Sequence, residues 1–147
     1  MGDEAEIGTA WGGLGEVHAA LGEWSEALAC YQHTLTCGER LGDREQSFAA
    51  LLAMGRAYDA LGDREASARC LQQAEELAAD LQRPELLAQA AWFRAQICAT
   101  QGAVQDAETA YSLAMSHARR SDTEPLRRLR REIEADLAGW RAGVASS

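Results

Sequence analysis

The sequence predicts an all-α fold: three stacked helical hairpins followed by one further helix. Three observations carry that prediction. Thirty of the 147 residues are Ala and only two are Pro, a balance that favours helices approaching one another closely over sheets. The pair Leu21-Gly22 recurs as Leu61-Gly62 and, degraded, as Gln101-Gly102, a spacing of 40 residues both times. At that offset the chain aligns Gly15, Gly55 and Ala95; His18, Tyr58 and Cys98; Ala27, Ser67 and Ala107; Tyr31, Leu71 and Tyr111; and Thr34, Ala74 and Ala114. Each column keeps one size class, and small residues in such columns mark crossings where a larger side chain would push two helices apart.

Helices are expected over 4–21, 24–41, 44–61, 64–82, 85–101, 104–120 and 124–141. The first is the weakest, because Gly8, Gly12, Gly13 and Gly15 each cost roughly 1 kcal/mol relative to Ala. It must fray or lean on its neighbours. Gly22, Gly62 and Gly102 end the first helix of each hairpin, since glycine accepts the positive φ of a helix C-terminus. Asp43 and Asp63 are placed as N-caps of the third and fourth helices, Asp43 with Gln46 three residues later as in a capping box. Pro84 and Pro125 sit at the beginnings of the fifth and seventh, where a missing N–H does no harm. The seventh carries Leu126, Leu129, Ile133, Leu137 and Trp140 at steps of three and four, an apolar stripe suited to covering the end of a stack. The chain thus reads as a single domain over 1–147, with repeats at about 4–41, 44–82 and 85–120, a capping helix, and a flexible tail at 142–147.

Charge narrows the function classes. The net charge is -9, and all 14 basic residues are Arg. Without Lys there is no Schiff-base chemistry and no phosphate-loop lysine. An acidic chain repels phosphate backbones and anionic lipid, so neither nucleic acid nor membrane is an expected partner. The charge is uneven: residues 1–118 hold 7 Arg and 18 acids, residues 119–147 hold 7 Arg and 5 acids. Within the basic cluster Arg119, Arg120, Arg127, Arg128, Arg130 and Arg131, one-turn spacings pair Arg128 with Glu132 and Arg130 with Glu134. The alternative use of that cluster is docking onto an acidic surface.

Catalytic and metal chemistry find little support. Cys30, His33 and Cys37 lie at steps of three and four, but a zinc site needs a fourth ligand, and Cys30 aligns with Cys70 as a packing slot. The four cysteines suit reduced thiols, not a disulfide framework. His18, His33 and His117 are scattered, no glycine-rich phosphate loop follows a strand, and Glu75-Glu76 face different ways on a helix. No enzyme, cofactor or metal is expected. The start MGDEAEIGTA has neither a signal-peptide pattern nor the residue myristoylation needs, and no apolar run is long enough to span a bilayer, so a cytoplasmic protein is expected.

Trp11, Leu14-Gly15, His18 in a slot often filled by Tyr, Ala27, Tyr31 and Thr34 follow one another in the order and spacing of a known pattern. On these residues the chain resembles the tetratricopeptide repeat family. The second hairpin keeps Gly55, Tyr58, Ser67, Leu71 and Ala74 but has Leu51 for the Trp; the third has Ala91 there, and Arg94 in place of Leu14 and Met54. The family's usual repeat is about 34 residues. The longer repeat here is similar to the variant in Leu-Gly-Asn-repeat polarity adaptors and in many bacterial regulators.

Over about residues 8–121 the resemblance implies a right-handed superhelical solenoid whose concave groove binds a peptide or helix of a partner protein. It places the first helix of each hairpin along that groove. The implied lining is Gly12 and Glu16, with Thr9, Gly13 and Ala19; Leu52, Arg56 and Asp59, with Ala49 and Ala53; and Gln89, Trp92, Phe93 and Gln96, with Ala99. Such a surface is small and acidic at one end, carries one Arg in the middle, and ends in an aromatic anchor of Trp92 and Phe93. Two of these readings have structural competitors: Trp92 or Phe93 as core, and Arg56 paired only with Asp59. The family's clamp for a chaperone's C-terminal carboxylate uses Lys, Asn and Arg where this chain has Gly12, Glu16, Ala53, Gln89 and Phe93, so that ligand is rejected. Two rivals stand beside the binding module: a self-assembling structural unit, and a sensory or scaffolding piece of a larger regulator.

Overall fold

Ala-rich segments between glycine turns fold into helix almost from end to end. The structure, a computed structural model, describes residues 2–146. Its helices are α1 (Gly2–Ala20), α2 (Trp24–Leu41), α3 (Arg44–Ala60), α4 (Arg64–Leu81), α5 (Pro84–Thr100), α6 (Val104–Ala118) and α7 (Glu124–Ser146), with no strand among the described residues. The first six match the expected bounds to within two residues. The seventh does not: α7 continues through positions 142–146, expected as a flexible tail, and Ser147 lies outside the described residues. Ala142, Gly143, Val144 and Ala145 hold no proline and no left-handed stop, and the Ser146 hydroxyl donates back to the Ala142 carbonyl at 2.8 Å.

The turns follow the repeat. Gly22, Gly62 and Gly102 adopt φ of 77°, 86° and 77°, and Gly42 adopts 66°. Forty residues after Gly42 the same role falls to Gln82, at φ 52°, a left-handed conformation that costs a side chain about 1–2 kcal/mol. Asp43 accepts from the Gln46 N–H at 3.0 Å and Asp63 from the Ala66 N–H at 3.1 Å, so both caps form. The reciprocal half of the capping box does not. The Gln46 amide lies against Gly8 of α1, and its Oε1 has no partner among the described residues.

Contacts gather into two compact units, Met1–Leu77 and Ala78–Ser147, the division falling near the end of α4. In the first unit α2 packs against both α1 and α3, and the buried Ser67 of α4 donates to the Gly55 carbonyl of α3 at 2.8 Å. The α1 glycines explain how so weak a helix holds. A Cβ on Gly8 would stand 2.9 Å from the Cys37 Cβ, and one on Gly15 would stand 2.6 Å from the Tyr31 ring. α2 therefore lies against bare α1 backbone, and the Thr34 hydroxyl reaches the Gly8 carbonyl at 3.2 Å. Tertiary packing supplies what helix propensity withholds.

In the second unit α5 and α6 form a hairpin and α7 packs on both. Ala91, Ala95, Ala110 and Ala114 leave room at the crossing for Tyr111 and Met115, and α7 adds Leu126, Leu129 and Ile133 to the same core. A polar hub fixes the register of α7. Oδ2 of Asp136 accepts from the Trp92 indole N–H at 2.6 Å, the Tyr111 hydroxyl at 2.9 Å and the Gln96 amide at 3.2 Å. Further along, Arg141 makes two 2.9 Å bonds to Glu108. The Arg-rich face of α7 is largely paired within the unit. Arg128 meets Glu132 at 3.4 Å as expected, but Arg130 turns to Asp122 at 3.1 Å in place of Glu134. Hydrogen bonds from Arg130 and Arg127 hold the Asp122 carboxyl below the usual range, so the residues before α7 draw its first turns of arginine towards them.

Two predictions follow from this packing. A Cβ on Gly13 meets nothing within 4 Å, so Gly13→Ala should raise unfolding stability by about 0.5–1 kcal/mol, whereas Gly15→Ala should lower it by about 1–3 kcal/mol. Denaturant titration of both variants reads the difference in sign. Asp136→Ala strands three donors and should cost about 1–3 kcal/mol, with Asp136→Asn, which keeps an acceptor, costing less in the same titration.

Candidate functional site

In the first unit, the one-turn spacing of Gly12 and Glu16 on α1 and of Leu52, Arg56 and Asp59 on α3 sets two short rows. Tyr31 of α2 supplies the element between them. Its ring is buried against Gly15, and its hydroxyl donates to Glu16 Oε1 at 3.2 Å. Burial, and then the Glu16 charge, push the Tyr31 pKa up to about 12, while the charge of Arg56 acts in the opposite direction. The field of Arg56 therefore reaches the same hydroxyl that Glu16 holds. One hydrogen bond thus joins a carboxylate of α1 to a hydroxyl of α2, and the charge of Arg56 on α3 acts on that hydroxyl. Glu16 and Arg56 are exposed, Leu52 and Asp59 half-buried. Gly12 leaves backbone open beside them, its nearest neighbour being the Thr34 hydroxyl, 3.6 Å from where a Cβ would stand.

The second unit treats its expected site residues differently. Gln89 is exposed and lines a cleft of about 440 Å³ with Glu85, Glu124, Arg128 and Glu132. Trp92 and Gln96 are half-buried, and both give their N–H groups to Asp136. Phe93 is only 5% exposed, on the same side of α5 as the buried Leu86 and Ala90. The expected aromatic anchor of Trp92 and Phe93 is therefore corrected: Phe93 is core, and the indole of Trp92 is engaged by α7.

Three polar groups of these sites are not evident from the residue pattern: the Asp136 carboxylate and the hydroxyls of Tyr31 and Tyr111. Asp136 stands 40 residues beyond Gln96, in the column that runs Glu16, Arg56, Gln96, Asp136. Carrying the repeat offset one step further would have found it. The hydroxyls of Tyr31 and Tyr111, aligned as space-filling residues, each donate to a carboxylate of that column within their own unit. A packing column read by size alone hides a polar tip.

Other chemistry does not assemble. Cys30 and Cys37 are buried, while His33 is exposed and stacks on Trp11 at 4.2 Å, so the three do not face one ion. No group of three or more metal-ligating side chains comes together among the described residues. Burial pushes the Cys70 and Cys98 thiols up, away from the thiolate that nucleophilic chemistry needs. His18, in its half-buried repeat slot, lies 3.3 Å from Glu23. No helix among the described residues is long and apolar enough to cross a membrane.

Comparison with known families matches the tetratricopeptide repeat over residues 6–80, about half of the chain. No curated protein matches the sequence. The matched stretch contains the glycine turns and small-residue crossings of the first four helices, so sequence pattern and packing agree on the same repeat unit. The chain belongs to the tetratricopeptide repeat family, an all-α helical-repeat family that generally mediates protein–protein interaction.

Proposed function

We propose that this chain is a non-catalytic interaction module that binds a peptide or helix of a partner protein on the exposed faces of α1 and α3 in its first unit. The single observation that carries the reading is the Glu16, Tyr31 and Arg56 cluster in the first unit. An exposed carboxylate and an exposed guanidinium beside open backbone at Gly12 suit a polypeptide, which brings N–H donors and carbonyl or carboxylate acceptors together. Leu52 adds apolar surface and Asp59 a second acceptor on the same helix. In the second unit, Gln89 and the exposed part of the Trp92 and Gln96 side chains form a separate contact patch, in which Asp136 already orders the N–H groups of Trp92 and Gln96. Pre-ordering of this kind lowers the entropy lost on binding.

The test is affinity capture from the native cell extract. Arg56→Glu should cut partner recovery at least tenfold while circular dichroism stays unchanged, and Arg56→Lys should recover only part of it, since a point charge does not replace a planar fork. Recovery by Arg56→Glu equal to that of the parent chain would sink the assignment. The cluster also predicts a titration. Tyr31 lends stability in full below the ordinary tyrosine pKa of about 10, and this is lost as pH rises through about 12. Glu16→Gln should bring the Tyr31 step down and Arg56→Ala should move it up, read by tyrosinate absorbance against a Tyr31→Phe blank.

A further inference from the structure

α1 is apolar on two sides, one packed on α2 and the other exposed among the described residues. The inner side carries Gly8 and Gly15 against α2. The outer side carries Ile7, Ala10, Leu14 and Val17, continued by Leu21 in the turn that follows, of which Ile7 is 50%, Leu14 44%, Val17 55% and Leu21 68% exposed. These five alternate at steps of three and four, the spacing of a coiled-coil seam. Ile7, Ala10, Trp11 and Leu14 stand at i, i+3, i+4 and i+7 and line a shallow, open hollow of about 210 Å³. Four residues so placed form the hole that receives one apolar side chain of a facing helix. Trp11 is braced in position by its stack on His33.

The geometry points to a second binding site here: the outer face of α1 accepts an amphipathic helix with basic flanks, whose apolar residue enters the Ile7, Ala10, Trp11 and Leu14 hollow. Charge selects the flanks. Residues 2–41 carry seven carboxylates and the single Arg40, which lies 3.5 Å from Glu4. Asp3 continues the seam one turn before Ile7, and Glu6 borders it. A helix laid along α1 therefore meets apolar surface along its centre and, at the end where α1 begins, the carboxylates of Asp3 and Glu6. The seam from Ile7 to Leu21 runs about 21 Å, which about 14 residues of a partner helix cover.

A second copy fits worse. Parallel α1 helices would set Asp3 opposite Asp3, and antiparallel ones would bring it towards Glu23 of the other copy. The chain's own Arg-rich helix offers no free apolar side, because Leu126, Leu129 and Ile133 are buried in its own unit. The site is also independent of the Glu16, Tyr31 and Arg56 cluster, which uses other positions on α1.

The test uses synthetic 18-residue helices and isothermal titration. The probe has Leu on the heptad seam and Arg on both flanks, which keeps it from pairing with itself. One control replaces the flanking Arg with Glu; another has the same composition with Leu scattered. The seamed Arg probe should bind at least tenfold more tightly than either control. Leu14→Gln, which keeps net charge, should weaken it at least tenfold, and Leu113→Gln, at an exposed apolar position on α6, should not. Val17→Gln repeats the test should Leu14→Gln disturb the fold. Equal binding of the scattered peptide, or no effect of both seam variants, overturns the site. Equal binding of the Glu probe overturns the choice of a basic partner. Sedimentation that shows a dimer of the chain alone, dissolved by Leu14→Gln, overturns it in favour of a second copy.

Discussion

The contact between bare α1 backbone and the side chains of α2 sets the rest of the first unit. Gly15 admits the Tyr31 ring to a distance no Cβ would allow, and Gly8 does the same for Cys37. With α2 seated that deeply, the Tyr31 hydroxyl emerges beside Glu16, and the bulky residues of α1 are turned outward. One geometric requirement thus produces both the polar cluster and the apolar seam. It also explains a sequence that looks self-defeating as an isolated helix. The glycines weaken α1 alone, yet two of them are the positions at which any larger residue would displace its partner helix.

Each unit then places a tyrosine hydroxyl on a carboxylate, and the two arrangements differ in what they leave over. Glu16 accepts from Tyr31 and stays exposed, and the charge of Arg56 acts on the same hydroxyl. Asp136 takes three donors on one oxygen and is half-buried among them. A carboxylate with three short donors is a structural fastening, since removing it strands Trp92, Gln96 and Tyr111 together. A carboxylate with one donor retains acceptor capacity for a ligand. The same repeat column therefore holds a fastener in one unit and a candidate contact in the other.

Helices, turns and crossings were legible in the sequence because each rests on a local cause. Gly22, Gly62 and Gly102 need a positive φ, Asp43 and Asp63 have an N–H to accept from, and the small residues at 15, 27, 55 and 67 fill a fixed separation. What was not legible depended on which side of a helix faces a neighbour. Phe93 and Trp92 are adjacent in sequence, and a rotation of 100° decides which is core. The spacing of Leu86, Ala90, Phe93 and Ile97 allows a core face, whereas the family layout assigns Phe93 to the groove. Arg130 could reach Glu134 by helical spacing or Asp122 across the preceding loop, and only the path of residues 119–123 chooses between them. The length of α7 was misjudged for a simpler reason: an Ala-rich end without a stop signal continues as helix.

The distribution of charge separates the two units by role. Residues 1–77 hold 14 carboxylates and 5 Arg, whereas residues 78–147 hold nine of each, so the whole net charge of -9 belongs to the first unit. Balanced charge can be satisfied internally, and around α7 it is: Arg127, Arg128, Arg130 and Arg141 each have a carboxylate partner, all in the second unit. Exposed pairs of this kind add little stability individually, but they consume the basic surface that would otherwise attract acidic partners. Excess charge cannot be consumed in that way. The carboxylates of the first unit outnumber the cations available to pair with them, so their field extends into solvent and raises the encounter rate with cationic chains within roughly a Debye length of 8–10 Å. Specificity then has to come from shape, since a field of one sign draws every cation alike. The first unit offers shape in two places: the Tyr31 hydroxyl fixed on Glu16, and the heptad-spaced hollow on α1.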